Sequence, residues 1–474
     1  MRTIRRCLDR LSAALAGVMV AASAHATDYP GQMAALVKRG AYLATASDCV
    51  ACHTASRDKP FAGGLPISTP LGTIYSTNIT PSITNGIGRY TEEDFSRALR
   101  LGVRRDGTHL YPAMPYTSYV RFTGDDVHAL YAYFMHVVKP VDIPSPETHL
   151  PFPMNVRASM MFWNLLFLGT TAFSADPTHS VEWNRGAYLA EGAAHCSSCH
   201  TPRGFLMQED SSRKFAGADV GAWHAPNITS DMVSGIGSWS QAELAEYLRT
   251  GKAPGKAQAA GSMGEAVEHS FQYLSAEDLY AIAAYVKSVP PISHPDDDRS
   301  RFAHGTMSSS LATLRGTDGI RSDNDVNPTG AQLFQGNCAS CHAAEGEGSK
   351  DGYYPSLFNN SATGARNPTN LIAAILYGVD RTTSKEQAFM PGFGGKPGDA
   401  NPLSDSEIAL LGNYVLQRYG RADAHITEQD VAQVRRGGGS SNLVALTRVG
   451  IAVGAALLIL IVLFVIFRKK NSPR

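Results

Sequence analysis

The sequence has almost no cysteine to spare. Of its seven cysteines, six fall in three Cys-x-x-Cys-His motifs and the seventh, Cys7, lies in an N-terminal segment expected to be removed. Disulfides are therefore not the framework of the fold. Net charge is lacking too: 42 Lys and Arg balance 42 Asp and Glu, which leaves no global field to attract nucleic acid or an acidic partner. No nucleotide fingerprint is present. Gly86-Ile87-Gly88 and Gly235-Ile236-Gly237 follow no β-strand pattern and precede no Gly-x-x-Gly, so they are read as turns at a cofactor edge. No flavin or nicotinamide domain is expected. At 474 residues the chain is too long for one core and suits about three domains.

What is present repeats. Arg39-Gly40-Ala41-Tyr42-Leu43-Ala44 leads to Cys49-Val50-Ala51-Cys52-His53, and Arg185-Gly186-Ala187-Tyr188-Leu189-Ala190 leads to Cys196-Ser197-Ser198-Cys199-His200. A looser copy, Gly330-Ala331-Gln332-Leu333-Phe334, leads to Cys338-Ala339-Ser340-Cys341-His342. Cys-x-x-Cys-His is the c-type haem attachment signature. Its two thiols form thioethers to the porphyrin vinyls, and the histidine supplies an imidazole to iron. A lone Cys-x-x-Cys fits a thioredoxin-like dithiol or half of a zinc site as well. Three copies, each followed by histidine and preceded by a helix-like segment, point to three covalently bound haem c groups instead.

Each unit has one plan. An opening helix (36–44, 181–190, 329–334) carries a glycine, Gly40, Gly186 or Gly330, that would let another backbone approach closely. A second helix starts at Thr91 with Asp94 and at Ser240 with Glu243, and after Asn367-Pro368 in the third unit. The closing helices show one apolar face: Val127, Leu130, Tyr131 and Phe134, then Leu279, Ile282, Ala283 and Val286, then Ile408, Leu411, Gly412 and Val415. Thr123 with Asp126, Ser275 with Asp278 and Ser404 with Glu407 are read as three capping boxes. Asn78-Ile79-Thr80 recurs as Asn227-Ile228-Thr229, 149 residues on, as does the Gly-Ile-Gly turn. Units one and two are therefore a tandem duplication.

The fold expected is mainly α: three tandem class I-like cytochrome c domains at 27–150, 175–292 and 326–422, plus one C-terminal transmembrane helix. Residues 1–26 read as a secretory signal cut after Ala24-His25-Ala26. An apolar stretch at 151–174 links the first two domains, its role open between interdomain packing and a surface for a partner or the membrane. A polar linker fills 293–325, and 423–442 reads as a flexible tether, rich in glycine and serine from Arg435 to Asn442. The uncharged run Val449 to Phe467 would be about 28 Å long as a helix, close to the ~30 Å hydrocarbon thickness. Arg468-Lys469-Lys470 follows it, so 468–474 is a cytoplasmic tail and the globular domains face the periplasm from the inner membrane.

His53, His200 and His342 hold one face of each iron. The opposite face of a stable electron carrier needs a ligand, and a thioether raises the potential relative to a second imidazole. Met114, in Tyr111-Pro112-Ala113-Met114-Pro115-Tyr116, and Met390, in Met390-Pro391-Gly392-Phe393, sit in proline-bounded loops. Met263 is the counterpart in unit two. The histidine-to-methionine intervals are 61, 63 and 48 residues. His109, His224 and His269 are the rival ligands.

The phrases Tyr111 to Tyr116, Ala266-Val267-Glu268-His269-Ser270-Phe271 and Asp351-Gly352-Tyr353-Tyr354-Pro355-Ser356-Leu357-Phe358 carry a resemblance over nearly the whole chain. The sequence resembles the membrane-bound triheme cytochrome c subunit of bacterial periplasmic dehydrogenases, of the gluconate 2-dehydrogenase, FAD-dependent glucose, sorbitol or fructose dehydrogenase, and quinoprotein alcohol dehydrogenase types. The resemblance implies a separate flavoprotein or quinoprotein catalytic subunit, a small third subunit, and electron delivery to ubiquinone. It also implies the methionine ligands named above and no substrate-oxidising site in this chain. A multihaem peroxidase or a cytochrome subunit of a terminal oxidase is the alternative. Unit three is expected to receive the electrons: its shorter interval leaves less chain over the haem edge, and Tyr353, Tyr354 and Phe358 could anchor a partner or merely pack the haem.

Overall fold

The computed structural model describes residues 29–305, 328–439 and 441–470. The signal segment, most of the polar linker and the last four residues of the tail lie outside them. The architecture is mainly helical, with four two-stranded antiparallel hairpins among the described residues.

Unit one comprises α1 (Tyr29–Ala46), the short haem-motif helix α2 (Cys49–His53), β1 (Pro66–Thr69), β2 (Gly72–Tyr75), α3 (Glu92–Leu101), α4 (Tyr116–Tyr119) and α5 (Gly124–His136). α6 (Ser159–Phe167) follows in the apolar stretch. Unit two repeats the plan with α7 (Val181–Tyr188), α8 (Ser197–His200), β3 (Ala218–Val220), β4 (Trp223–Ala225), α9 (Gln241–Thr250), β5 (Lys252–Ala253), β6 (Ala257–Gln258), α10 (Gly261–His269) and α11 (Ala276–Ser288). Unit three has α12 (Gly330–Asn337), α13 (Ala339–His342), α14 (Thr369–Tyr377), β7 (Val379–Thr382), β8 (Gln387–Met390), α15 (Asp405–Tyr419) and α16 (Glu428–Arg435), before the long α17 (Leu443–Lys470).

The opening and closing helices cross at the three glycines. A methyl group on Gly40 would overlap the Ala129 carbonyl, on Gly186 the Ala281 carbonyl, and on Gly330 the Leu410 carbonyl. Only a residue without Cβ lets these backbones touch. The repeated Asn-Ile-Thr segments fasten the chain after each closing helix. Asn78 Nδ2 donates to Val141 O at 2.8 Å and Asn227 Nδ2 to Ile292 O at 2.7 Å.

Two expectations are corrected. Ser404 and Glu407 form a reciprocal capping box, but Asp126 and Asp278 do not return to their N-cap backbones. Thr123 and Ser275 cap the helices alone, because both carboxylates are taken by arginine and tyrosine partners described below. The region 423–442 is not wholly a tether. α16 is capped by Thr427 with Asp430, and Val431 and Val434 are buried against α14 and α15. Arg435 ties its end to Asp405 Oδ1 at 2.6 Å and Leu403 O at 2.9 Å.

One apolar core runs through units one and two, from Leu43, Phe95 and Phe134 by way of Tyr119 and Phe122 to Leu189, Leu279 and Ile282. Unit three has its own, around Phe334, Leu376, Ile408 and Val431. α6 turns its polar residues inward, Asn164 accepting from the Tyr116 hydroxyl at 2.8 Å, and leaves Leu165 80 % exposed beside exposed Phe162 and Leu166. Leu443–Phe467 of α17 is long and apolar enough to cross a membrane; Leu443 at its start is buried, and 448–467 is exposed. Its foot is tied to the start of the apolar stretch after unit one: Arg448 Nε donates to Phe152 O at 2.8 Å.

Candidate functional site: three haem-binding clefts

Each Cys-x-x-Cys-His motif forms one short helical turn, so both thiols and the imidazole leave the same stretch of backbone. In all three, the histidine Nδ1 is bound to a backbone carbonyl: His53 to Thr77 O at 2.6 Å, His200 to Pro226 O at 2.7 Å, and His342 to Pro355 O at 2.9 Å. A carbonyl can only accept, so Nδ1 carries the proton and Nε2 keeps its lone pair for a metal. Burial pushes all three imidazoles toward the neutral form, His200 down to about 4. The carbonyl partner comes 24, 26 and 13 residues after the histidine, so unit three closes this loop with half the chain.

The thiols are not those of a redox dithiol. Burial pushes Cys49, Cys52, Cys196 and Cys338 up to about 12, whereas a reactive Cys-x-x-Cys has a lowered value. Among the described residues, no three His, Cys, Asp or Glu side chains gather as a metal cluster, so a zinc half-site has no second half. Paired thiols, a tautomer-fixed imidazole and an apolar lining fit covalent haem c.

The candidate sixth ligands pack against the same apolar cores as the motif cysteines. Met114 and Met263 are half-buried against the core that also holds Cys49 and Cys196, and Met390 lies against the core that holds Cys338. Their settings differ. Met114 precedes α4, Met263 lies on α10, and Met390 ends β8, paired with Val379. Of the rivals, His224 Nδ1 is held by Asp219 Oδ1 at 2.7 Å. His109 Nδ1 faces Asn164 Nδ2 at 3.5 Å.

Units one and two meet across a pseudo-twofold arrangement. Arg39 Nε donates to Asp126 Oδ1 at 2.6 Å, and the Tyr188 hydroxyl of unit two donates to the other oxygen. Reciprocally, Arg185 Nε donates to Asp278 Oδ1 at 2.7 Å, and the Tyr42 hydroxyl of unit one donates to Oδ2 at 2.5 Å. Each buried carboxylate thus takes an arginine from its own unit and a tyrosine from the other. α10, which carries Met263, packs on the unit-one motif helix α2, so the first motif adjoins the element that carries the unit-two candidate methionine. The Arg-x-x-Tyr spacing, identical in both opening helices, is the sequence signal of this exchange.

The unit-three aromatics separate by role. Phe358 is buried, edge-on to Tyr419 at 5.4 Å. Tyr353 is exposed and stands edge-on to Tyr354 at 4.9 Å.

The Cytochrome c family matches residues 184–290 and 328–418, covering units two and three. The chain is 49% identical over 447 residues to the fructose dehydrogenase cytochrome subunit of Gluconobacter japonicus, covering 92% of this chain and 91% of that one. It is 39% identical to the cytochrome c subunit of alcohol dehydrogenase (quinone) from Gluconacetobacter polyoxogenes, over 86% of this chain and 85% of the relative. It is also 39% identical to the gluconate 2-dehydrogenase cytochrome c subunit of Pantoea cypripedii, over 85% and 90%.

Proposed function

The chain belongs to the cytochrome c subunits of membrane-bound, quinone-linked dehydrogenases, and from that premise we propose that it relays electrons through three haems from a flavin- or PQQ-dependent catalytic subunit to ubiquinone. Family membership sets it apart from the peroxidase and terminal-oxidase alternatives. The observation that carries the three-haem reading is the threefold recurrence of a motif histidine whose Nδ1 is committed to a backbone carbonyl.

In this reading Cys49 and Cys52, Cys196 and Cys199, and Cys338 and Cys341 form the thioethers. His53, His200 and His342 are the proximal ligands, and Met114, Met263 and Met390 the distal ones. A haem so held supplies a one-electron iron couple. The protein's part is to exclude water with its apolar lining, keep each imidazole neutral and fixed, and set the three sites in sequence.

The direction proposed is from unit three through unit two to unit one. Support at the exit end comes from α17, whose foot is tied to Phe152 by Arg448 and whose approach is tied to the unit-one hairpin by the Ser441 N–Pro70 O bond at 3.3 Å. Unit one therefore stands nearest the quinone pool if α17 spans the membrane. At the entry end, exposed Tyr353 and Phe389 offer anchors to a catalytic subunit. Substrate-driven reduction of the assembled complex tests this. With Cys338 and Cys341 replaced, the remaining haems should stay oxidised. With Cys49 and Cys52 replaced, they should reduce while quinone reduction stops. Normal reduction of the first two haems without the third would place the entry port elsewhere.

A further inference from the structure

Around unit two lies a group of buried hydrogen-bond donors without a partner among the described residues. Arg381, on β7 of unit three, is 1 % exposed and reaches into unit two. Its Nη1 donates to Ala259 O at 2.5 Å and its Nη2 to Gln258 Oε1 at 3.2 Å, while Nε has no hydrogen-bond partner among the described residues. The guanidinium lies where a side chain on Gly251 would be. Arg301, from the segment after unit two, donates to Ser234 O at 2.9 Å and Asn227 O at 3.0 Å, and its buried Nε is again unpartnered. Trp239 is 4 % exposed, and its indole N–H has no hydrogen-bond partner among the described residues.

These side chains converge. Trp239 stands edge-on to Tyr247 at 5.3 Å and to Phe302 at 5.5 Å, and Arg301 covers the Phe302 ring at 4.8 Å. Burial pushes the Tyr247 hydroxyl up to about 12, and the positive charges of Arg381 and Arg301 both oppose that rise. Glu386 and Glu268 act on Arg381, and Asp297 on Arg301, only through space; Glu386 and Asp297 are paired with Lys252 and Arg421. What both guanidinium groups lack is an acceptor in contact with Nε, and a carboxylate is the acceptor that suits a buried cation. Its position says which one. Arg301 binds the carbonyl of Asn227, next to Pro226, whose own carbonyl fixes His200. Arg381 binds Ala259, on the segment leading to Met263. The donors thus frame the unit-two cleft from both sides.

We propose that Arg301, Arg381, Tyr247 and Trp239 seat the propionate carboxylates of the unit-two haem, and that this seat is complete only when unit three is docked. The proposal rests on the three-haem reading. The lining differs in unit one: 149 residues earlier, Trp239 and Tyr247 correspond to Tyr90 and Ala98, although Arg97 Nε and Arg100 Nε there also lack a partner among the described residues. Positive charge beside the carboxylates disfavours ferric iron, which carries one more charge than ferrous. Arg381 is thus a positioning residue through which unit three raises the potential of the haem next in line.

The test is a mediated spectroelectrochemical titration of the whole complex. The unit-two potential is identified as the one lost when Cys196 and Cys199 are replaced. Arg381→Gln should lower that potential and leave the other two in place, Arg381→Lys should restore most of it, and Trp239→Phe should lower it less with haem content unchanged. Three unchanged potentials in Arg381→Gln and Trp239→Phe would overturn the proposal, as would a fall confined to the third haem. A wild-type chain holding fewer than three haems would instead defeat the reading beneath it. If Arg381→Gln loses the second haem altogether, Trp239→Phe still decides: an unchanged potential there refutes the seat.

Discussion

The junction between units one and two and the junction between units two and three are built from different materials. The first is apolar, a single core crossed by two reciprocal carboxylate bridges at Asp126 and Asp278. The second has a smaller apolar part, Ala222 and Trp223 of unit two against the unit-three core, and is held mainly by polar contacts. Arg381 enters unit two, Gln272 Oε1 accepts from Ser384 N at 2.8 Å, Asn370 Nδ2 donates to His224 O at 2.8 Å, and Lys385 pairs with Glu246 at 3.1 Å with both side chains about half exposed. A duplicated pair can bury the same face of each copy against the other, so one set of substitutions serves both halves of the interface. A diverged third unit lacks that self-complementarity and docks through individual hydrogen bonds. The contrast suits the proposed relay, in which units one and two act as one body and unit three receives the electrons.

The largest effect should come from the helix-crossing glycines. Gly186→Val places a side chain on the Ala281 carbonyl and should cost about 3 kcal/mol or more. Because its core is shared, the chain should lose both the first and second haems. Gly330→Val should lose the third alone. Pyridine haemochrome counts distinguish the two outcomes, and equal losses would remove the contrast.

Ligand changes should remain local on both sides of that contrast. Met114→Ala or Met390→Ala should leave one haem high-spin and weaken the near-infrared methionine–iron band, with the haem count unchanged. A fully low-spin spectrum with the band intact would show that the wrong sulfur was chosen.

Much of this was legible in the sequence, because it rests on local chemistry. Haem motifs, crossing glycines, most caps and the apolar faces of α5, α11 and α15 follow from spacing alone. What was not legible depended on contacts across units. Asp126 and Asp278 occupy the third position after a capping hydroxyl, and nothing local reveals that a tyrosine from the other unit claims each carboxylate. The same holds for Arg381, an ordinary hairpin residue in the sequence, and for α16, whose short apolar repeat at Val431 and Val434 sits beside glycine-rich tether.

A smaller effect is expected at the bridges. Asp126→Asn combined with Asp278→Asn should destabilise units one and two by about 2–4 kcal/mol in a urea titration and leave unit three unchanged. Burial pushes Asp278 upward, but hydrogen bonds from Arg185 and Tyr42 outweigh it and hold the carboxyl below its ordinary value. Its stabilising contribution is therefore complete above the unfolded pKa of about 3.9 and lost as pH falls through the lower folded value. The Asp278→Asn variant should lack that part of the acid sensitivity.

The smallest effect is that of salt. At about 1 M ionic strength the screening length is about 3 Å, and the exposed Lys385–Glu246 pair should contribute nothing measurable. Amide exchange should rise around 380–386 and stay unchanged around 42–46. A rise at both would mean that the two junctions are alike.

The central claim is tested most directly by the haem content of the full-length chain, with and without the third motif. Three covalent haems per chain are predicted by pyridine haemochrome, falling to two when Cys338 and Cys341 are both replaced by alanine. A count that does not change on that replacement would contradict the account.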